Sequence, residues 1–131
     1  MKWERRRTLI YLCLIVIALG VASRILRFEN AIFSKYLGDA LYAILFYLLI
    51  SMVGLNLRAI VKATIVFIFM ITLELFQLTR IPLTLSQNEN VLARIIAMLL
   101  GTVFSWLDVL AYFVGIVIAA SADKIKFENR K

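Results

Sequence analysis

The stretch Ile71 to Arg80, "ITLELFQLTR", closes a largely apolar run with a carboxylic acid, a carboxamide and a guanidinium at Glu74, Gln77 and Arg80. Spacings of three put each neighbouring pair on one helix face. Carboxyl and amide oxygens accept hydrogen bonds from hydroxyls, and a guanidinium makes paired bonds to phosphate. The three residues together suit the grip of a polar, anionic group. A second set, Gly101, Ser105, Asp108, Tyr112 and Gly115, recurs at intervals of 4, 3, 4 and 3, and Ala119 and Ala122 continue it. That rhythm predicts one stripe of one helix. Small residues let helices approach closely and polar ones bond across the interface, so Gly101, Ser105 and Gly115 read as helix-packing positions.

The elements that must position these groups are membrane helices. The chain has 131 residues, 63% of them hydrophobic and 18% charged, and a mean hydropathy of +0.94. A small domain has too much surface for its volume to hide that much apolar area, so lipid must be the solvent for much of it. Four segments are apolar enough to cross a bilayer at ~20 residues each: roughly 8–23, 37–57, 60–79 and 92–122. The expected fold is therefore all-α, a single integral-membrane domain over 1–131 built as a four-helix transmembrane bundle. The first segment, with its basic start and its small residues Ala22 and Ser23, also resembles a secretory signal. Pro82 marks the end of the third helix. In this frame Asp108 falls near the middle of the fourth helix, where a charge costs ~2.5–3.5 kcal/mol. It must then face inward and be paired, hydrated or protonated.

Orientation follows from the basic residues. Ten of them flank one side: Lys2, Arg5, Arg6, Arg7, Arg58, Lys62, Lys124, Lys126, Arg130 and Lys131. Five flank the other: Arg24, Arg27, Lys35, Arg80 and Arg94. The positive-inside rule puts both termini in the cytoplasm. Arg24 then ends helix one and Asp39 opens helix two at the outer face, with Glu74 about 9 Å below Arg80 along the axis. The loop "RILRFENAIFSK" interleaves apolar and charged residues, which predicts a short interfacial element between helices one and two. Arg58 and Lys62 read as interfacial anchors, and Trp3, Trp106 and Tyr36 as belt or packing aromatics. The net charge of +7 would suggest nucleic acid in a soluble protein. Here the charges flank apolar segments, so no nucleic-acid partner is expected. The chain has no histidine, which removes histidine bases and ligands; neither a metal nor a cofactor is expected. Cys13 stands alone in an apolar run and forms no internal disulfide.

Three motifs occur in one order: "YLGDALYAILFY" (Tyr36 to Tyr47), "ELFQLTR" (Glu74 to Arg80) and "FSWLDVLAYFVG" (Phe104 to Gly115), preceded by Ser23–Arg24. Together they resemble a family of small bacterial inner-membrane proteins classed as a domain of unknown function, itself distantly similar to the VanZ-like membrane proteins. The VanZ-like pattern places an outer Asp in an early helix, then Glu-x-x-Gln with a following Arg, then an Asp and a Gly on the next helix. The matching positions are Asp39, then Glu74, Gln77 and Arg80, then Asp108 and Gly115. The chain departs from it in lacking the histidine that often follows the early Asp, and in carrying Tyr112 where an asparagine is usual. The resemblance implies a functional polar cluster in the bacterial inner membrane. It names no reaction: one founding relative is linked to glycopeptide resistance by an unestablished mechanism.

Several functions fit these residues. In the first, an outward-facing cluster of Arg24, Asp39, Glu74, Gln77, Arg80, Asp108 and Tyr112 binds the headgroup of an anionic envelope lipid or lipid-linked precursor. Arg24, Arg27 and Arg80 would hold the anion, and the acids and amide would accept hydroxyls. In the second, the bundle is a structural or accessory subunit, packed on a larger partner or on itself as a homo-oligomer. In the third, Asp39 pairs with Asp108 or Glu74 as an acid dyad. Tyr36 to Asp39 resembles the Gly-x-Gly-Asp of intramembrane aspartyl proteases, with Tyr36 where the first glycine belongs, and the expected offset in depth argues against a shared proton. Ion transport is the fourth; it would want a carboxyl toward the cytoplasmic side, and none is expected within the membrane.

Overall fold

The computed structural model of the chain describes residues 2–26, 31–54 and 56–128. The described residues form helices and turns without a strand: α1 (Lys2–Ile25), α2 (Ala31–Val53), α3 (Ala59–Gln77), α4 (Ile81–Ser86), α5 (Val91–Leu100) and α6 (Trp106–Asp123), followed by a π-helical turn, Lys124–Glu128. Among the described residues, four helical stretches are long and apolar enough to cross a membrane: Lys2–Ile25, Ile32–Val53, Ala59–Gln77 and Trp106–Lys126. This is the architecture of a multi-pass bundle.

The outside of the bundle is oily, and four charged residues are buried inside it. Ile10, Leu14, Val21, Ile60, Ile68, Leu75, Leu110 and Phe113 are exposed, whereas Lys62, Glu74, Asp108 and Asp123 are buried. A water-solvated fold shows the opposite, because a buried charge needs a partner while exposed apolar surface gains nothing from water. α2 is the central helix. It packs most extensively on α6 and α1, and α3 closes on α6. The core joins Ala43 and Tyr47 of α2, Val66 and Met70 of α3, and Tyr112, Ile116 and Ala119 of α6. Gly115 brings α6 onto α2 so closely that a Cβ there would collide with the Ala40 carbonyl.

Several boundaries differ from those expected, and helix one already runs from Lys2 to Ile25 rather than over 8–23. Helix two begins at Ala31, so the last residues of the expected interfacial element are already α2; residues 27–30 of that element, Arg27 included, lie outside the described residues. Helix two also stops at Val53 rather than Leu57, with Gly54 leading into the turn. Helix three ends at Gln77. Arg80 then takes a left-handed conformation (φ 61°, ψ 4°) as the cap of α4, and Pro82 lies in the first turn of that short helix.

The fourth expected helix is not continuous. It divides into α5 and α6 across residues 101–105, and Gly101 (φ 78°, ψ 157°) turns the chain. That backbone region is essentially closed to residues with a Cβ. Gly101 and Ser105 therefore leave the predicted helical stripe, and Asp108 sits in the first turn of α6 rather than at mid-helix. An acid in a first turn faces the positive end of the helix dipole, a less costly position than the centre of a span.

Candidate functional site

The broken helix and the end of α3 are joined by one buried carboxylate. Glu74 is fully buried. Its Oε1 accepts from the Tyr112 hydroxyl at 2.8 Å and from Gln77 Nε2 at 3.2 Å. Its Oε2 accepts from the Ser105 backbone N–H at 3.4 Å. Gln77 Nε2 also donates to the Leu100 carbonyl at 2.9 Å, and the Tyr42 hydroxyl donates to the Leu99 carbonyl at 3.0 Å. The non-helical backbone of 101–105 is thus held by side chains of α3 and α2. Irregular backbone at membrane depth persists only where it is buried in protein or lines a cavity.

Here it lines a cavity. A chamber of about 520 Å³ is walled by Arg24 of α1, by Ser34, Lys35, Gly38 and Asp39 of α2, by Gln77 of α3, by Gly101, Thr102 and Val103, and by Asp108 and Tyr112 of α6. Lys35 Nζ lies 3.0 Å from Asp108 Oδ1; the lysine side chain is half-exposed and the aspartate buried. Arg24 is exposed at the rim and makes no ion pair among the described residues. Three acceptor atoms in the wall, Asp39 Oδ2, Gln77 Oε1 and Asp108 Oδ1, are buried with no hydrogen-bond partner among the described residues, and of these Asp108 Oδ1 faces the Lys35 ammonium. Buried acceptors left unpaired are rare, because each forfeits its bonds to water. The chamber therefore presents cations at its mouth and uncommitted acceptors in its wall.

Of the residues singled out in the sequence, Arg24, Asp39, Gln77, Asp108, Tyr112 and Gly101 meet at this chamber, with Glu74 and Ser105 bonded behind it. Arg80 does not join them. With α3 ending at Gln77, its left-handed backbone takes it off the Glu74 face, and it is exposed outside the chamber lining. Asp39 and Asp108, expected at different depths, line the same cavity, because α2 starts earlier and α6 later than foreseen. Gly115 lies below, in the α2–α6 contact. Among the described residues, no cluster of acids and cysteine has the make-up of a metal site.

Lys35, one of the flanking charges in the basic-residue balance, is also a chamber residue. The signal was present: Lys35 and Asp39 are four apart, so they share a face once α2 extends to Ala31.

A second polar cluster closes the other end of the bundle. Lys62 Nζ is bonded to Asp123 Oδ2, which also accepts from the Tyr47 hydroxyl at 2.8 Å. Arg5 Nη2 stands 3.5 Å from Asp123 Oδ1. Lys62 is completely buried, so it is a member of this network and not an interfacial anchor. Asp123 supplies the carboxyl that was not expected at this end. Both clusters are flanked by an exposed tryptophan, Trp3 at the start of α1 and Trp106 at the start of α6.

Fold and site together define a small helical bundle, compatible with a multi-pass membrane protein, with a charged chamber at one end. The family described as "Protein of unknown function (DUF2809)" matches residues 28–116, and the chain belongs to that family. The match spans α2 to α5 and the first half of α6, hence every chamber residue except Arg24. No curated protein and no solved structure matches the chain.

Proposed function

We propose that the chamber binds the headgroup of an anionic, hydroxyl-bearing envelope lipid or lipid-linked precursor, at the outer face of a bacterial inner membrane. The observation that carries this reading is the pairing of charge and orphaned acceptors in one cavity. Arg24 and Lys35 offer donors to a phosphate, while Asp39 Oδ2 and Gln77 Oε1 are free to accept from a ligand hydroxyl or N–H in place of water. Asp108 keeps Lys35 at the mouth. Glu74 and Tyr112 hold Gln77 and the 101–105 backbone in place.

Binding is favoured over acid–base chemistry because two of the three carboxylates are committed. Asp108 is paired with Lys35 and Glu74 has both oxygens bonded. The ordered motif set that resembles the VanZ-like proteins supports a dedicated polar site and specifies no reaction. In this reading the termini and the Lys62–Asp123 cluster lie on the cytoplasmic side, in keeping with the excess of basic residues there.

The test is gentle extraction into native nanodiscs with mass spectrometry of the retained lipids, for the wild type beside Arg24→Gln/Lys35→Gln. Enrichment of an anionic lipid over the bulk membrane in the wild type, lost in the double variant, is the expected result. Identical lipid profiles in the two would overturn the assignment.

A further inference from the structure

The chamber does not end in a closed wall. A second cavity, of about 300 Å³, opens beside it and shares Arg24, Gly38, Asp39, Gly101 and Tyr112 with it. Its remaining lining is apolar apart from Tyr42, whose hydroxyl is bonded to the Leu99 carbonyl. Ile17, Gly20 and Val21 of α1 form one wall, Met98 and Leu99 of α5 the other, and Leu45 of α2 belongs to the floor. The α5 wall is a ten-residue apolar helix, too short to span, with Ala97 as its buried residue. The Tyr42 and Gln77 bonds to the Leu99 and Leu100 carbonyls fix its C-terminal end beside the chamber.

We infer that this groove takes one acyl chain of the same anionic lipid whose headgroup the chamber holds, admitted sideways from the bilayer between α1 and α5. The inference rests on the headgroup reading above and adds to it the route and the chain. The joined cavities match an amphiphile in order: exposed cation at the junction, buried acceptors on one side, apolar walls on the other. A water-soluble sugar phosphate would leave the groove without use, and a neutral lipid would leave Arg24 with Asp39 as its sole counter-charge in the groove lining. The opening faces lipid on the exposed flanks of α1 and α5, where Val21, Ile96 and Leu99 are exposed.

Gly20 makes the groove testable. A Cβ added at Gly20 meets nothing within 4 Å, so a side chain there starts into the groove without a backbone clash. Leucine also favours helix over glycine. The probe is phosphatidylglycerol with a diazirine midway along one chain, doped into phosphatidylcholine nanodiscs, with labelled peptides mapped after irradiation. The wild type is expected to label at 17–21 and 98–99 at least fivefold above the exposed α3 positions Ile68 and Leu75. Gly20→Leu is expected to remove that excess and leave the α3 background unchanged. Ile17→Trp, which fills the groove from the preceding turn, provides a second obstruction with the same expectation. Labelling at 17–21 and 98–99 no higher than at α3, or an excess that survives both substitutions, would overturn the groove.

The two readings fail separately. An anionic-lipid enrichment that depends on Arg24 and Lys35 but shows no groove labelling overturns the groove and retains the headgroup site. Groove labelling that is sensitive to Gly20→Leu, yet equal for phosphatidylglycerol and phosphatidylcholine probes, overturns the shared anionic lipid.

Discussion

Tyr112 donates its hydroxyl to Glu74 at 2.8 Å across the α3–α6 interface, and the carboxylate so held reaches on to the Ser105 backbone N–H. Two helices and the break between α5 and α6 are thereby tied to one buried acid. Tyr112→Phe removes a donor from a fully buried carboxylate and is expected to cost about 1–3 kcal/mol. Glu74→Gln keeps the shape but offers one oxygen to three donors, and the cost should be at least as large. Unfolding in a detergent series measures both. A change within experimental error for both would show that Glu74 does not hold the break.

The opposite end responds differently. Lys62 and Asp123 are buried and paired. Lys62→Met strips one partner from Asp123 and is expected to destabilise by about 3–5 kcal/mol. Replacing both, Lys62→Met with Asp123→Leu, removes the charges together and should cost much less than the single change. A double-mutant cycle on unfolding decides it: additive losses would mean the pair is not coupled.

Two glycines inside long helices make opposite predictions. Gly115→Ala puts a methyl against the backbone of Ala40, where nothing flexible can yield, and is expected to destabilise by about 1–3 kcal/mol. Gly20→Ala meets open space and gains up to ~1 kcal/mol of helix propensity. Thermal midpoints of the two variants should move in opposite directions; a shared direction would contradict the α2–α6 packing described.

Topology can be read with reporters. Fused after Lys131, a reporter active only in the periplasm should stay silent, and one active only in the cytoplasm should work, as the distribution of basic residues requires. Activity of the periplasmic reporter would invert the bundle and place the chamber on the cytoplasmic face.

The four spans were legible because length and apolar content alone decide them. The polar cluster was legible in part, since Glu74, Gln77 and Asp108 are costly in oil and therefore mark themselves. The break in helix four was not. The small-residue rhythm runs unbroken through Gly101 and Ser105 with no proline to interrupt it. What breaks the helix is tertiary: Gln77 bonds the Leu100 carbonyl and Glu74 takes the Ser105 N–H. Arg80 stands apart from the chamber because a place on the Glu74 face depends on α3 continuing past Gln77. Lys35 was overlooked because the start of helix two was set at Leu37, which left the lysine in a loop. The Lys62–Asp123 pair joins residues 61 apart. Its only local trace is a charge of each sign at the same end of the bundle.

The central claim, that the chamber recognises an anion and a hydroxyl on one lipid, is tested most directly by competition between phosphatidylglycerol and phosphatidylethanol. The two carry the same phosphodiester charge, but only the first has headgroup hydroxyls. Measured by native mass spectrometry on the wild type and on Gln77→Leu, the account predicts at least a tenfold preference for phosphatidylglycerol, about 1.4 kcal/mol, that disappears in the variant. Equal binding of the two lipids by the wild type would contradict it.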